Sequence, residues 1–391
     1  MEILKKMMDL TKGLETPFIL LDLEILKRNY KRLKDNLPFV DIFYAVKANS
    51  HHRIINTLKE LGSSFDVASA SEIEKLLKLG ITPDRMSFGN TIKKESDIRF
   101  AYSVGIDYYA VDSEMELEKI ACNAPGSKVY FRLMIDSSDS DWPLSKKFGT
   151  NSEHIKSLAI YAKTLGLVPF GISFHVGSQC NNKFKWREAM KEASKIFREL
   201  KLDYDIDLKM VNLGGGMPVV YDKPIPTVEE ISEVIKDSIE KYFYFVKDLK
   251  IIIEPGRSLV GNIGVIVSSV ILRSKKTDGE WVYLDVGIFH GLAEAMGGIK
   301  YQMIVEGKEN SKLKTFKLAG PTCDSIDIMY EAVELPEDIT LNDRVYILNA
   351  GAYTTEYATN FNGFYGPVVY FVEDLEFEKT RANSIEQKEE S

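Results

Sequence analysis

The chain has 391 residues, 45% of them hydrophobic, enough to bury a large core and to divide into two or three domains. Its net charge of −8, with acids and bases interspersed, lacks the basic stripe of a nucleic-acid binder, and no apolar run approaches the length needed to span a bilayer. Three scattered cysteines, Cys122, Cys180 and Cys323, are too few for a disulfide framework or a zinc cluster, and a charged N-terminus lacks the apolar core of a signal peptide, so a cytoplasmic protein is expected.

Taken in chain order, Pro17–Asp22 is strand-like. From Ile42 to Pro255, β-rich runs then alternate with helical patterns. The predicted strands are Ile42–Ala48, Phe65–Ser69, Met86–Asn90, Tyr108–Asp112, Val129–Ile135, Phe170–Val176, Lys209–Gly214 and Lys250–Glu254. Between them the periodicity predicts helices at Ile54–Leu61, Ser71–Leu79, Ser96–Val104, Glu114–Ala121, Ile155–Leu165, Trp186–Leu200 and Val228–Phe245. Gly62, Gly80, Gly105 and Gly166 stand where helix C-termini favour glycine. Strands that are apolar throughout, rather than alternating, indicate a parallel sheet covered on both faces. Eight of them suffice to close a (β/α)8 barrel, an α/β fold. An open doubly wound sheet is the rival, but its GxGxxG turn after the first strand is absent.

After Gly256 the pattern changes to Val265–Leu272, Trp281–Asp285, Thr315–Ala319, Arg344–Leu348 and Val368–Val372, β-type runs with few helical patterns between them. The expected division is a barrel over 24–260, a mainly β domain from 1–23 and 261–376, and a flexible tail over 377–391, rich in Glu, Lys, Ser and Asn. Pro17–Asp22 has no place in a barrel that starts at Ile42, so it is expected to pair with the C-terminal domain.

Chemistry on such barrels sits at the C-terminal strand ends. Those ends carry Lys47, Asp66, Asn90, Arg132 within its strand, His175 with Ser178, Gly214-Gly215-Gly216, and Glu254 with Arg257. A lysine closing the apolar run Phe43-Tyr44-Ala45-Val46 is either a side chain reaching solvent or an amine placed to condense with a carbonyl group. The glycine triplet is either a tight turn or an anion nest, and with Arg257 it falls where barrels often build phosphate sites, after strands seven and eight. Glu254 would repel a phosphate, so it either pairs with Arg257 or faces something else, such as a pyridine nitrogen. His175 is either a structural histidine or a ring lying against another ring. Lysine, phosphate clamp and carboxylate together point to pyridoxal 5′-phosphate (PLP). Neither a nucleotide fingerprint nor a metal-ligand spacing is present. In the second domain, Gly320-Pro321-Thr322-Cys323-Asp324-Ser325 sets a cysteine in a polar turn, unlike a packing cysteine. Tyr353 and Phe361 add a phenol and an aromatic wall, or ordinary core.

With FYAVKAN, FDVASASE, SFHVGSQC, LGGGMP, EPGR, GPTCDS and GAYTTEYATNFNGF in this order, the chain resembles the fold-type III PLP-dependent decarboxylases, specifically the ornithine and lysine/ornithine decarboxylases, from about Thr16 to Val372. The resemblance implies that Lys47 holds PLP and Glu254 pairs with its pyridine nitrogen. His175 would stack on the ring, and Asp66 would lie near the lysine linkage. Ser178, Gly214, Gly215, Gly216, Arg257 and Tyr353 would hold the phosphate. It also implies a homodimer with shared active sites. Cys323 would reach into the partner's site to return a proton, Asp324 would meet the substrate's distal amine, and Phe361 would line the pocket.

The implied reaction is α-decarboxylation of L-ornithine or L-lysine to putrescine or cadaverine, as in polyamine biosynthesis. Diaminopimelate decarboxylases are similar but carry Cys-Glu-Ser at the turn. A 2,4-diaminobutyrate decarboxylase, an amino-acid racemase of the same fold and a non-catalytic PLP-binding paralogue are the competing assignments. Two departures from the family stand out. Trp142-Pro143 replaces an arginine of the eukaryotic enzymes. Gly297 and Gly298 stand where the family places an acid for the distal amine, which makes Glu294 a candidate substitute.

Overall fold

A computed structural model describes residues 2–142 and 147–389; Pro143 of the first departure lies outside them. Eight parallel strands close a barrel: Asp41–Ala45, Ser64–Val67, Met86–Phe88, Tyr108–Val111, Lys128–Leu133, Val168–Phe174, Met210–Asn212 and Lys250–Ile253. The last pairs with the first, Ile252 opposite Asp41 and Ile253 opposite Ile42, which removes both sheet edges. Phe43, Ala110, Tyr130, Met210 and Ile252, from five strands, form a buried cluster.

Every expected helix is present within a few residues, with local reasons for its limits. Ser69 accepts from Glu72 N, Asn151 accepts from His154 N, and Thr227 with Glu230 forms a reciprocal capping box. Gly62, Gly80, Gly105 and Gly166 all have left-handed φ, between +70° and +98°. The strands stop earlier than expected. The first ends at Ala45, and Val46–Ala48 is a 3-10 turn. Lys47 therefore stands on a turn at the strand's end, its side chain half exposed at 50%, and not within a strand.

The chain divides into two compact units. One comprises Lys27–Pro218 and Pro224–Ser258 and holds the barrel; the other comprises the chain up to Leu26, Val219–Lys223, and the chain from Leu259. The excursion Val219–Lys223 falls inside the span expected to be barrel. Its side chains and backbone find partners within the β-rich unit to which it belongs: Tyr221 packs edge-on against Tyr301, and Val220 O accepts from Asn349 Nδ2 at 2.7 Å.

The second unit holds an eight-stranded mixed sheet, running Met303–Val305, Arg344–Ile347, Gly264–Lys276, Gly279–Leu284, Leu313–Ala319 and Ile328–Pro336 in spatial order. Met303–Val305 and Ile328–Pro336 went unrecognised in the sequence. The second has an exposed centre that breaks the apolar run. Phe18–Leu21 pairs antiparallel with Gly264–Lys276 and parallel with Val368–Phe371, as expected of a segment with no place in the barrel. Met7, Phe18, Leu20, Val265, Val267, Tyr346 and Val372 form a buried core there. The segment expected as a flexible tail departs from that reading: Val372–Glu389 is helical. Its Glu, Lys and Ala content suits a helix as well as it suits disorder.

Candidate active site

Parallel strands deliver their C-terminal ends to one rim, and the expected Lys47, Asp66, His175, Ser178, Glu254 and Arg257 lie in the barrel unit with the glycine turn. Lys47 Nζ donates to Asp66 Oδ2 at 3.0 Å. Asp66 is buried on the second strand, and its Oδ1 has no hydrogen-bond partner among the described residues. An unsatisfied buried carboxylate oxygen beside an amine is a costly arrangement for a site meant to stay as it is.

Glu254 follows the eighth strand. Asn212, fully buried at the end of the seventh, donates Nδ2 to Glu254 Oε1 at 2.5 Å and accepts from Gly214 N at 2.9 Å. No Glu254–Arg257 ion pair, the alternative that the sequence left open, is found among the described residues; Arg257 Nε donates to Ser178 Oγ at 3.1 Å. Burial raises the Glu254 carboxyl to about 7, with Asp66 adding to the rise; Lys47, the Asn212 hydrogen bond and Arg132 work against it. Such a carboxyl is half-titrated near neutrality and becomes fully ionic once a cationic N–H faces it.

His175 is held neutral. Burial, then the Arg132 and Lys47 cations, keep its imidazole well below the usual range. Its Nδ1 accepts from Gly177 N at 3.0 Å, which places the ring proton on Nε2.

The glycine triplet serves packing as well as any ligand. A Cβ on Gly214 would strike Phe174 O, and one on Gly215 would lie 2.7 Å from Glu254 O and 3.2 Å from His175 Nε2. Gly214 and Gly216 have positive φ, +63° and +99°. Since Asn212 takes the Gly214 N–H, the nest expected from three amides reduces to Gly215 and Gly216, whose N–H groups meet no protein acceptor among the described residues.

Tyr353, Cys323, Asp324, Phe361 and Glu294 all belong to the second unit. Tyr353 has φ +55° and faces Tyr357, ring centroids 6.4 Å apart. Cys323 is exposed. Asp324 Oδ1 accepts from Ile326 N at 3.0 Å, and Phe361 stacks on Phe289 at 4.8 Å. Glu294 is buried in the 3-10 turn Ala293–Gly297.

Two rim residues carry more than the sequence disclosed. Asn212 sits in an otherwise apolar strand, Met210-Val211-Asn212-Leu213, and a buried amide there was the available signal. Arg132 stacks its guanidinium 5.0 Å from the Phe148 ring; burial lowers its pKa while Glu254, Asp112 and Asp66 oppose the shift.

An amine beside a carboxylate, a carboxyl poised near neutrality, a neutral imidazole and a pair of free amides near a buried arginine form a site for a phosphorylated heteroaromatic aldehyde. Residues 23–261 match the pyridoxal binding domain of the pyridoxal-dependent decarboxylases, and the chain belongs to that family. It is 33% identical to the lysine/ornithine decarboxylase of Selenomonas ruminantium, over 95% of this chain and 94% of that one. It is also 33% identical to antizyme inhibitor 2 of Xenopus laevis, over 90% and 80%. Its fold superposes on SrLDC, the lysine decarboxylase of S. ruminantium, in complex with PLP and cadaverine, with a TM-score of 0.87 and 31% identity, covering 98% of this chain and 97% of that one. PLP is the cofactor of this family, and the residues present fit it: Asp66 Oδ1 and the Gly215–Gly216 amides have no hydrogen-bond partner among the described residues, and the buried Glu254 carboxyl, raised to about 7, suits a cationic N–H.

Proposed function

We propose that this chain is a homodimeric decarboxylase of a basic amino acid, L-lysine or L-ornithine, releasing CO2 and the corresponding diamine. The observation that carries the reading is the Lys47 amine 3.0 Å from a buried, half-satisfied Asp66 on the rim that also bears Glu254. When bound, PLP supplies the electron sink that lets the α-carboxylate leave. Lys47 would anchor the cofactor. Glu254, braced by Asn212, would keep the pyridine nitrogen protonated, while His175 would support the ring. Ser178, the Gly215–Gly216 amides, Arg257 and Tyr353 would hold the phosphate.

Cys323 from the partner subunit delivers the proton that replaces CO2 at Cα, and Asp324 meets the distal ammonium beside Phe361. Gly297 and Gly298 offer no side chain to the distal ammonium, and Glu294 is buried. The cadaverine bound to SrLDC supports a diamine product. No described helix is long and apolar enough to cross a membrane. The three free cysteines fit a reducing compartment such as the cytoplasm.

A panel of basic amino acids with CO2 and amine detection tests the activity, and borohydride reduction followed by peptide mapping tests the anchor. PLP fixed on Lys47 with release of cadaverine or putrescine is expected. PLP bound without CO2 release from any member would overturn the decarboxylase reading in favour of a non-catalytic role. The shared site has its own test. Lys47→Ala and Cys323→Ala should each be nearly inactive, yet mixed equally and allowed to exchange they should recover about one quarter of wild-type activity, half the dimers with half their sites intact. No recovery from demonstrated hybrids refutes the shared site.

A further inference from the structure

Asp327 is 2% exposed and carries a carboxylate without a cationic partner among the described residues. Burying a charge is expensive unless hydrogen bonds replace its water, and here three donors do. Oδ1 accepts from Ile288 N at 3.0 Å; Oδ2 accepts from Thr322 N at 3.1 Å and Thr322 Oγ1 at 2.7 Å. The main chain of the same residue closes the turn, with Gly320 N donating to Asp327 O at 2.9 Å and Asp327 N donating to Asp324 O at 3.1 Å. Gly287 and Gly320 pack so close to the carboxylate that a Cβ on either would collide with it.

The other flank of the turn is tied separately. Cys323 N donates to Asn362 Oδ1 at 3.0 Å, and Asn362 holds φ +57°. Its loop is fastened in turn to Phe289, whose carbonyl accepts from Thr359 N at 2.8 Å and Thr359 Oγ1 at 3.0 Å, and whose ring stacks on Phe361. Three loops are thereby locked around one exposed thiol. A turn built only for stability has no need to fix the amide of residue 322 from its own far end and that of residue 323 from a separate loop while leaving the side chain of Cys323 outside.

We infer that Asp327 and Asn362 are positioning residues for Cys323: the buried carboxylate and the amide hold the turn so that the thiol presents its proton at one place. The inference rests on the reading of Cys323 as proton donor. An asparagine at 327 offers one acceptor and turns an NH2 group toward donors, so Asp327→Asn sets the turn loose without changing its volume. In the PLP-loaded enzyme, Asp327→Asn and Asn362→Ala should each lower kcat about tenfold to a hundredfold, with KM within about threefold, because misplacing a reacting group by an ångström has effects of that size. Thr322→Val, which removes one of the three donors, should lower it only about threefold. Borohydride-fixed PLP on Lys47, which lies in the other unit, should be unchanged in all three.

The rate of iodoacetamide alkylation at Cys323, followed by peptide mass, gives a readout independent of turnover and should change by about threefold or more in Asp327→Asn and Asn362→Ala. Unchanged kcat and unchanged alkylation in the variants that fold overturn the inference. So does a loss of kcat that merely tracks lost PLP. If Asp327→Asn fails to fold, Asn362→Ala and Thr322→Val decide by the same criteria. If the wild type releases no CO2 from any basic amino acid, the functional reading fails by itself, and the alkylation rates alone support or overturn the positioning role.

Discussion

At the barrel rim, Lys47, Asp66 and Glu254 come from three strand ends, and the Glu254 carboxyl is raised by burial and then by the Asp66 charge; in the β unit, Cys323 stands on a single turn whose geometry is set by hydrogen bonds to backbone amides. The first arrangement is responsive. The Glu254 carboxyl, raised to about 7 by burial and then by Asp66, changes protonation when a cationic group enters, since the low dielectric magnifies each charge. The second is rigid, because a buried carboxylate whose two oxygens are both engaged by N–H and O–H donors has no cheap alternative. A site that must bind a charged cofactor and then deliver one proton to one atom calls for both properties.

The comparison breaks first at Glu254. Glu254→Gln should lower kcat about a hundredfold while keeping much of its PLP, since an amide cannot hold a pyridine nitrogen protonated and each pKa unit lost is worth about 1.4 kcal/mol. Near-normal turnover would make Glu254 a structural residue. The cofactor-free protein offers a second reading of the same group. With its folded value at about 7, above the ordinary carboxyl value of 4.5, folded Glu254 holds its proton where the unfolded chain has lost it. This residue's contribution to stability is therefore greatest below pH 4.5 and is lost as pH rises to about 7. Glu254→Gln should then melt higher than wild type at pH 8, the gap closing toward pH 4.5. A gap that widens at acid pH would reverse the sign.

Asn212→Leu sharpens the same point with a smaller effect. Removing its hydrogen bond should raise the Glu254 carboxyl further and shift the acid limb of the kcat profile upward, with a loss of about tenfold at neutral pH. An unshifted profile with lower turnover would mean that Asn212 serves only the Gly214 turn.

The smallest effect lies in the rigid region. His290 is fully buried beside Phe364, and neither ring nitrogen has a hydrogen-bond partner among the described residues; burial lowers its pKa, with Asp327, Phe361 and Asp285 opposing. A histidine with a depressed folded value supports the fold above its ordinary value of 6.5, and that support is lost as pH falls below it. His290→Leu should therefore lose less Tm between pH 7 and pH 5 than wild type. Equal losses would show that the loops around Asp327 do not register the His290 charge.

Periodicity and punctuation alone were sufficient for the barrel. Apolar runs at Phe43, Tyr109, Phe131, Ile172, Val211 and Ile252 can only be buried on both faces, and the glycines at 62, 80, 105 and 166 end helices because only glycine is relaxed there. Lys47, His175, Gly214 to Gly216, Glu254 and Arg257 were legible because strand ends converge whatever their spacing in the chain. Other features were decided only by the tertiary structure. Whether Glu254 met Arg257 or another group depended on Asn212, 42 residues away and on a neighbouring strand. The excursion of Val219–Lys223 depended on an aromatic partner at Tyr301. Asp327 reads in sequence as one more acid after a polar turn, and its role exists only because Ile288 and Thr322 bring their donors to it. Local sequence specifies where a backbone can turn and which side chains must leave water. Which buried polar group answers which is a property of distances between distant segments, and those exist only once the chain has folded.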